Sequence, residues 1–290
     1  MSTGKKTRAY ENRTRFFRAM FARKIVIVAT VVVVLVILSA IFADFLAPYN
    51  PNEQDLYHIL QGPGEGHLLG TDAFGRDVLS RLLFGARISL AVGLMAVVIA
   101  CVIGTVLGMY AAYFGGVADA VIMRTCEALR SVPAVILAMA LVSVFGGGAK
   151  NVAIILGIST IPGYVLMMRA QVLSVSNRDF VTAARLQGAG SHRVLYRHIL
   201  PNCLSPLIVM MTQQVGSTIL AEAGLSFLGV GISIPTASWG TMVAEGKAIM
   251  LRNPYLSLIP GICVAILVIS LNTMGDGIRD ALDPHLRGEI

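Results

Sequence analysis

Residues 25–43 read IVIVATVVVVLVILSAIFA, without a single charge. A run of roughly 20 mainly apolar residues is long enough to cross the ~30 Å hydrocarbon core of a bilayer as a helix. At about −0.3 to −0.6 kcal/mol for each strongly apolar residue, it inserts by several kcal/mol. Five further stretches have comparable length and character, near 88–113, 130–145, 152–168, 204–228 and 256–274. The composition agrees: 13% of the chain is charged and 56% hydrophobic, whereas a soluble domain carries about 25% charge. The expected fold is therefore all-α, a polytopic membrane protein with six transmembrane helices. The first run does not read as a cleaved signal. It follows a tail of more than twenty residues, and Asp44 stands where a small-residue cleavage site belongs.

Lysine and arginine set the orientation. The N-terminal tail carries Lys5, Lys6, Arg8, Arg13, Arg15, Arg18, Arg23 and Lys24. With six spans both termini share a side, which also receives a loop bearing Arg169, Arg178, Arg185, Arg193 and Arg197. The other side receives Arg76, Arg81, Arg87, Lys150, Lys247 and Arg252. Positive charge accumulates on the cytoplasmic side, so both termini and that loop are expected there. The net charge of +7 then suits anionic headgroups. Nucleic acid is not an expected partner, since no aromatic-rich basic patch accompanies the charge.

Four segments follow: a basic tail (1–24), a first span with an outer loop (25–87), a core of five spans (88–277) and a C-terminal tail (278–290). Within the outer loop, APYNP and GPGEG are turn-rich. In RDVLSRLLFGARISL (76–90), Val78, Leu79, Leu82, Leu83 and Ala86 recur at helical spacing, opposite Arg76, Asp77, Ser80, Arg81 and Arg87. That pattern predicts an amphipathic helix lying on the membrane surface. Gly93, Gly104 and Gly108 mark close helix packing in the second span. After the Gly115-Gly116 turn, Asp119, Arg124, Glu127 and Arg130 suit an interfacial stretch, with a kink at Pro133. Cys101, Cys126, Cys203 and Cys263 are scattered and read as small apolar fillers.

Several chemistries are missing. Neither 146-GGGAK-150 nor 246-GKA-248 has the order of a phosphate-cradling P-loop. His192 and His198 lie six apart with no carboxylate between them, unlike a zinc-peptidase helix, and His58 and His67 fall on the opposite side. No catalytic residue, metal site or bound cofactor is expected. Glu222 stands as the strong ionisable candidate within a span, either a packing carboxylate or the coupling group of a proton-driven carrier. Gln213, Gln214, Ser217 and Thr218 in the fifth span, and Asn272 in the sixth, suit helix–helix hydrogen bonds before substrate contacts.

Residues 180–202, FVTAARLQGAGSHRVLYRHILPN, break the apolar pattern. Asp179 is placed to cap a helix running through Ala183, Ala184, Arg185 and Leu186; Gly188 and Gly190 break it, and Ser191 caps a second. Two short helices on a glycine elbow make a knob within the loop 174–203. This stretch resembles the EAA motif of binding-protein-dependent ABC importer permeases. Ala183, Ala184, Gly188, Leu200 and Pro201 match, while Thr182 replaces the glutamate. Three further stretches narrow the resemblance to the peptide/nickel branch, of dipeptide and oligopeptide permease C type. They are LGTDAFGRDVLSRLLFGARISL (69–90), AEAGLSFLGVG (221–231) and MGDGIRDALDPHLRG (274–288). Near Trp239 the chain reads IPTASWG, two prolines short of the family pattern.

The resemblance covers about 20–288 and implies a type I ABC importer permease without catalysis of its own. It belongs in a bacterial or archaeal cytoplasmic membrane. Thr182, Ala183, Ala184, Arg185, Leu186, Gly188, Ala189 and Gly190 would couple to two ATPase subunits, which bind ATP and Mg. A homologous second permease subunit and an extracytoplasmic substrate-binding protein are the other implied partners. Gly70, Thr71, Asp72, Gly75, Arg76, Asp77, Ser80 and Arg81 form the outer signature, pairing among themselves or meeting a partner. Dipeptides, longer peptides, glutathione and nickel chelates are the substrates this branch implies, peptides first. A self-contained carrier using Glu222 is the alternative, and a membrane peptidase the third.

Overall fold

A computed structural model describes residues 18–64 and 66–282. Lys5, Lys6, Arg8, Arg13 and Arg15 of the basic tail lie outside the described residues, as does the end of the last motif, 283–288. The described residues form helices and loops, with one isolated bridge between Thr71 and Asp77. Five helices are long and apolar enough to cross a membrane, and a bent pair passes the same test when its two helices are taken together.

The first, α1 (Lys24–Ile41), presents most of its surface to lipid and packs through Val26, Ala29, Val33 and Ala40. A four-residue turn, α2 (Ala43–Leu46), follows. The longest helix, α3 (Val78–Phe114), has 37 residues, about 55 Å at ~1.5 Å per residue. Its start is fixed by Asp77, whose carboxylate accepts from Ser80 N at 2.7 Å. The surface helix expected over 76–87 is thus not separate: residues 78–87 are the first turns of a spanning helix, and Asp77 is its N-cap. Their polar side is not in water either, since Arg76 and Arg81 are each 1% exposed. Arg87 reaches back to α1, donating to Ala40 O at 2.8 Å and Ile41 O at 3.0 Å and pairing with Asp44 at 2.8 Å. A cation there closes the C-terminal end of α1.

The third crossing is broken. The amphipathic α4 (Gly116–Arg130) meets α5 (Ala134–Phe145) at 89°. Pro133 has no N–H to continue the ladder and stands as the N-cap of α5. With 12 residues, α5 is about 18 Å long, short of the ~30 Å core.

Next come α6 (Ala149–Ser176), α9 (Leu200–Phe227) and α11 (Tyr255–Leu282), 28 residues each with an internal proline: Pro162, Pro206 and Pro260. Small residues let α3 lie against α6. A Cβ on Gly108 would sit 2.6 Å from Val165 O and 2.9 Å from Met168 Cβ, and one on Gly104 would sit 3.0 Å from Ile161 O. Tyr164, Met168 and Val172 of α6 fill this core with Leu195, Ile199 and Cys203. A second core surrounds Trp239 at the start of the short α10 (Trp239–Lys247).

The 177–199 segment corrects two expected caps. Arg178, not Asp179, is the N-cap of α7 (Asp179–Leu186), and Asp179 is its first residue, without a capping bond. Gly190 precedes α8 (Ser191–Arg193), and Ser191 makes no cap bond. The second short helix is not free-standing. It continues through a π-helical turn, Val194–Ile199, into α9. Leu200 N–H bonds Leu195 O, five residues back, and Asn202 Nδ2 donates to His198 O at 2.7 Å. Pro201, lacking an N–H, prevents the ordinary four-residue ladder from closing on Arg197 O.

Candidate functional site

Four groups of residues stand out: one at each face, a buried carboxylate between helices, and a cleft at mid-depth. On the basic face, Val181 and Ala184 are buried under α7 while Thr182, Ala183, Arg185 and Leu186 point outward, Leu186 at 84% exposure. Gly188 takes a φ of +78°, which a glycine adopts without strain; Gly190 is in ordinary extended backbone. Gly188 N bonds Arg185 O and Ala189 N bonds Ala184 O, closing the C-terminal end of α7. The elbow is held to the end of α3. The Arg185 guanidinium lies 5.0 Å from the centre of the Tyr113 ring, and His192 Nδ1 lies 3.2 Å from Tyr110 Oη.

On the opposite face the signature residues form one buried ion network with an acid that sequence reading passed over, Glu245 of α10. Arg76 donates to Asp72 Oδ2 at 2.7 Å and to Glu245 Oε2 at 2.8 Å. Arg81 reaches the same two oxygens at 3.4 and 3.0 Å. Asp77 also lies 2.9 Å from His67 Nδ1, and Ser80 Oγ accepts from Tyr49 N at 3.1 Å. Thr71 Oγ1 donates to His58 O and accepts from Gln61 N. Gly70 and Gly75 have φ of +77° and +74°, with the 61–63 and Asp55 backbones where side chains would stand. These signature residues pair among themselves and with their own chain.

Glu222 is fully buried. Ser226 and Ser238 donate to its Oε1 at 2.9 and 3.0 Å, and Ser89 donates to its Oε2 at 3.2 Å. Trp239 N in turn donates to Ser89 Oγ, so the carboxylate binds α3, α9 and α10 together. Thr218 is buried beside it on the same helix, its hydroxyl without a partner among the described residues.

The mid-depth group is a cleft of about 280 Å³ at the α4–α5 break. Its wall includes Arg130, Pro133, Thr160, Gly163, Met210 and Gln214. Gly163 and Gln214 fall at the midpoints of two 28-residue helices of spanning length, so the break lies level with the middle of the bundle. Irregular backbone at that depth is tolerated where protein buries it or water lines it. Gln214 makes no side-chain hydrogen bond among the described residues. Gln213 does not share the cleft: it donates to Asp276 Oδ1 at 3.0 Å. Ser217 bonds the carbonyls of its own helix, and Asn272 is exposed on α11. Of the five polar candidates on α9 and α11, the structure puts Gln214 alone in the cleft. Sequence reading missed its neighbours Thr160 and Gly163, and read Arg130 as an interfacial charge.

A bundle of long helices, one broken at mid-depth, with an anchored knob on one face, defines a multi-pass membrane transport subunit. Solved structures agree on the fold: an inward-facing methionine ABC transporter, MetNI, aligns with a TM-score of 0.58 at 20% identity, over 71% of this chain and 98% of the other. Residues 104–288 match the family described as "Binding-protein-dependent transport system inner membrane component", and 13–63 match the N-terminal transmembrane domain of oligopeptide transport permease C. The chain belongs to this family of binding-protein-dependent ABC importer permeases. A di/tripeptide transport system permease, DppC of Pseudomonas aeruginosa, is 44% identical, covering 87% of this chain and 86% of its own. A glutathione transport system permease, GsiD of Pectobacterium atrosepticum, is 38% identical over 94% and 91%.

Proposed function

We propose that this chain is one of two permease subunits forming the pathway of an ATP-driven importer of dipeptides and oligopeptides. The basic face is then cytoplasmic, in a bacterial or archaeal inner membrane. Two ATPase subunits, holding ATP and Mg, take residues 182–190 into their grooves, and an extracytoplasmic binding protein delivers peptide to the opposite face. The observation that carries this is the construction of the knob. Its buried side is set in the core while Leu186, a large apolar side chain, stands nearly naked on the water side. A short helix anchored through one face and bare on the other is a preorganised platform, with little left to order when a partner docks. Glu222 does not support a carrier mechanism, because three serine hydroxyls occupy its oxygens.

The test is Gly188→Trp in the intact assembly, reading ATPase co-purification and peptide uptake together. No atom lies within 4 Å of a Cβ at Gly188, so the ring projects from the elbow instead of into the core, and Gly188→Ala, which carries the same backbone strain at φ +78° without the ring, is the control. The expected result is loss of both signals at normal membrane levels of the chain. Undiminished uptake would show that the elbow carries no contact.

A further inference from the structure

Arg130 ends α4 at the break and lines both the 280 Å³ cleft and a neighbouring one of about 400 Å³ that runs along α4 past Met123 and Glu127. Its side chain is exposed, and its guanidinium has no carboxylate or hydrogen-bond partner among the described residues. The arginines of the other sites are matched: Arg76 and Arg81 by Glu245, Arg87 by Asp44, and Arg169 by Asp119 at 2.7 Å. The nearest acid on its own helix, Glu127, is taken by Arg124 at 2.9 Å. Arg130 is thus a free cation where the helix is broken and the wall is open, level with the middle of the spanning helices. An unpaired charge at such depth belongs in an aqueous passage. Both clefts are of small-ligand size, near the lower end of roughly 300–1,000 Å³.

We propose that Arg130 binds the carboxylate of a peptide in transit, with the free amide of Gln214 across the cleft taking a peptide-bond donor or acceptor. This rests on the reading of the cleft as half of the pathway. A guanidinium offers two parallel N–H donors that match a carboxylate and not a neutral amide. The class of substrate is therefore a peptide with a free carboxylate, at its C-terminus or on a side chain.

The experiment uses the complete assembly in liposomes, with both permease subunits, ATPases and binding protein. A neutral dipeptide and its C-terminal amide are each supplied at concentrations that saturate the binding protein. Arg130→Gln should lower uptake of the free acid about tenfold or more, the loss of one charge-assisted bond pair. Amide uptake and binding-protein-stimulated ATP hydrolysis should hold, and Arg130→Lys should restore most of the loss. An equal fall for both peptides, or no fall for either, overturns the assignment. Release of the second permease subunit from the Arg130→Gln assembly also overturns it, making Arg130 an assembly residue. If the unsubstituted assembly hydrolyses ATP yet takes up neither peptide, the peptide-importer reading itself fails, and the assignment with it.

Discussion

Glu222 of α9 and the partly buried Glu245 of α10 make opposite predictions under the same substitution to glutamine. Glu222 accepts from three hydroxyls at once. Glu222→Ala strands those donors in the core, at about 1–3 kcal/mol in lost stability, and should lower the thermal midpoint of the purified assembly. Glu222→Gln keeps a carbonyl acceptor and should leave uptake nearly intact. Abolished uptake in a Gln variant of normal stability would return the carboxylate to a proton-coupling role. Glu245 is different because Arg76 and Arg81 share its Oε2. Removing its charge leaves two buried guanidinium groups leaning on Asp72 alone, so both Glu245→Ala and Glu245→Gln should be destabilising. Breaking such a buried pair costs about 3–5 kcal/mol, read as loss of folded protein in the membrane fraction. Glu222 was legible in the sequence as an acid in a span. Ser226 stands one helical turn from it, but its other two partners were not legible, since Ser89 is 133 positions away and Ser238 is 16 away. No local pattern links them.

At the scale of the helix, periodicity located the spans well but could not say what a polar face meets. The stripe of Arg76, Asp77, Ser80 and Arg81 has the spacing of a helix floating at an interface. The same spacing serves a spanning helix whose charges are neutralised by Asp72 and Glu245, and the latter lies 169 positions from Arg76. The amphipathic helix set across a spanning one is α4, where the charges were noticed and the depth of the break was not. Glycine spacing was more informative: Gly104 and Gly108 do bring α3 onto α6. Gly108→Leu should force the two apart and abolish accumulation of the folded chain, as followed by protease resistance in membranes. At Gly224, where a Cβ meets nothing within 4 Å, the same leucine should be tolerated. On α7, Leu186→Asp removes an exposed side chain from a helix that keeps its buried anchors. Membrane levels should hold while ATPase association weakens at least tenfold, measured by pull-down.

At the scale of the whole molecule, the chain exposes polar side chains within its spans, notably Asn272 and Ser217. A lipid-facing surface of that kind is costly, and in the proposed assembly a second subunit or the pathway covers it. Withdrawal of the ATPase subunits should stop uptake outright, whereas a self-contained carrier would continue under a proton gradient. The ordered motifs made the family legible in the sequence. The proposed pathway was less so, because the wall of the cleft is drawn from a break in one helix and the midpoints of two others.

The 37 residues of α3 join the ion network at one membrane face to the aromatic seat of the elbow at the other. A straight helix fixes the angular phase between its ends as firmly as their separation. Inserting one alanine near Val106 would turn the two halves by about 100° and part them by about 1.5 Å. Arg81 and Tyr113 could then no longer both face their partners. Length variation among such chains must therefore gather in the loops, and α3 should tolerate replacement of its letters far better than a change in their number.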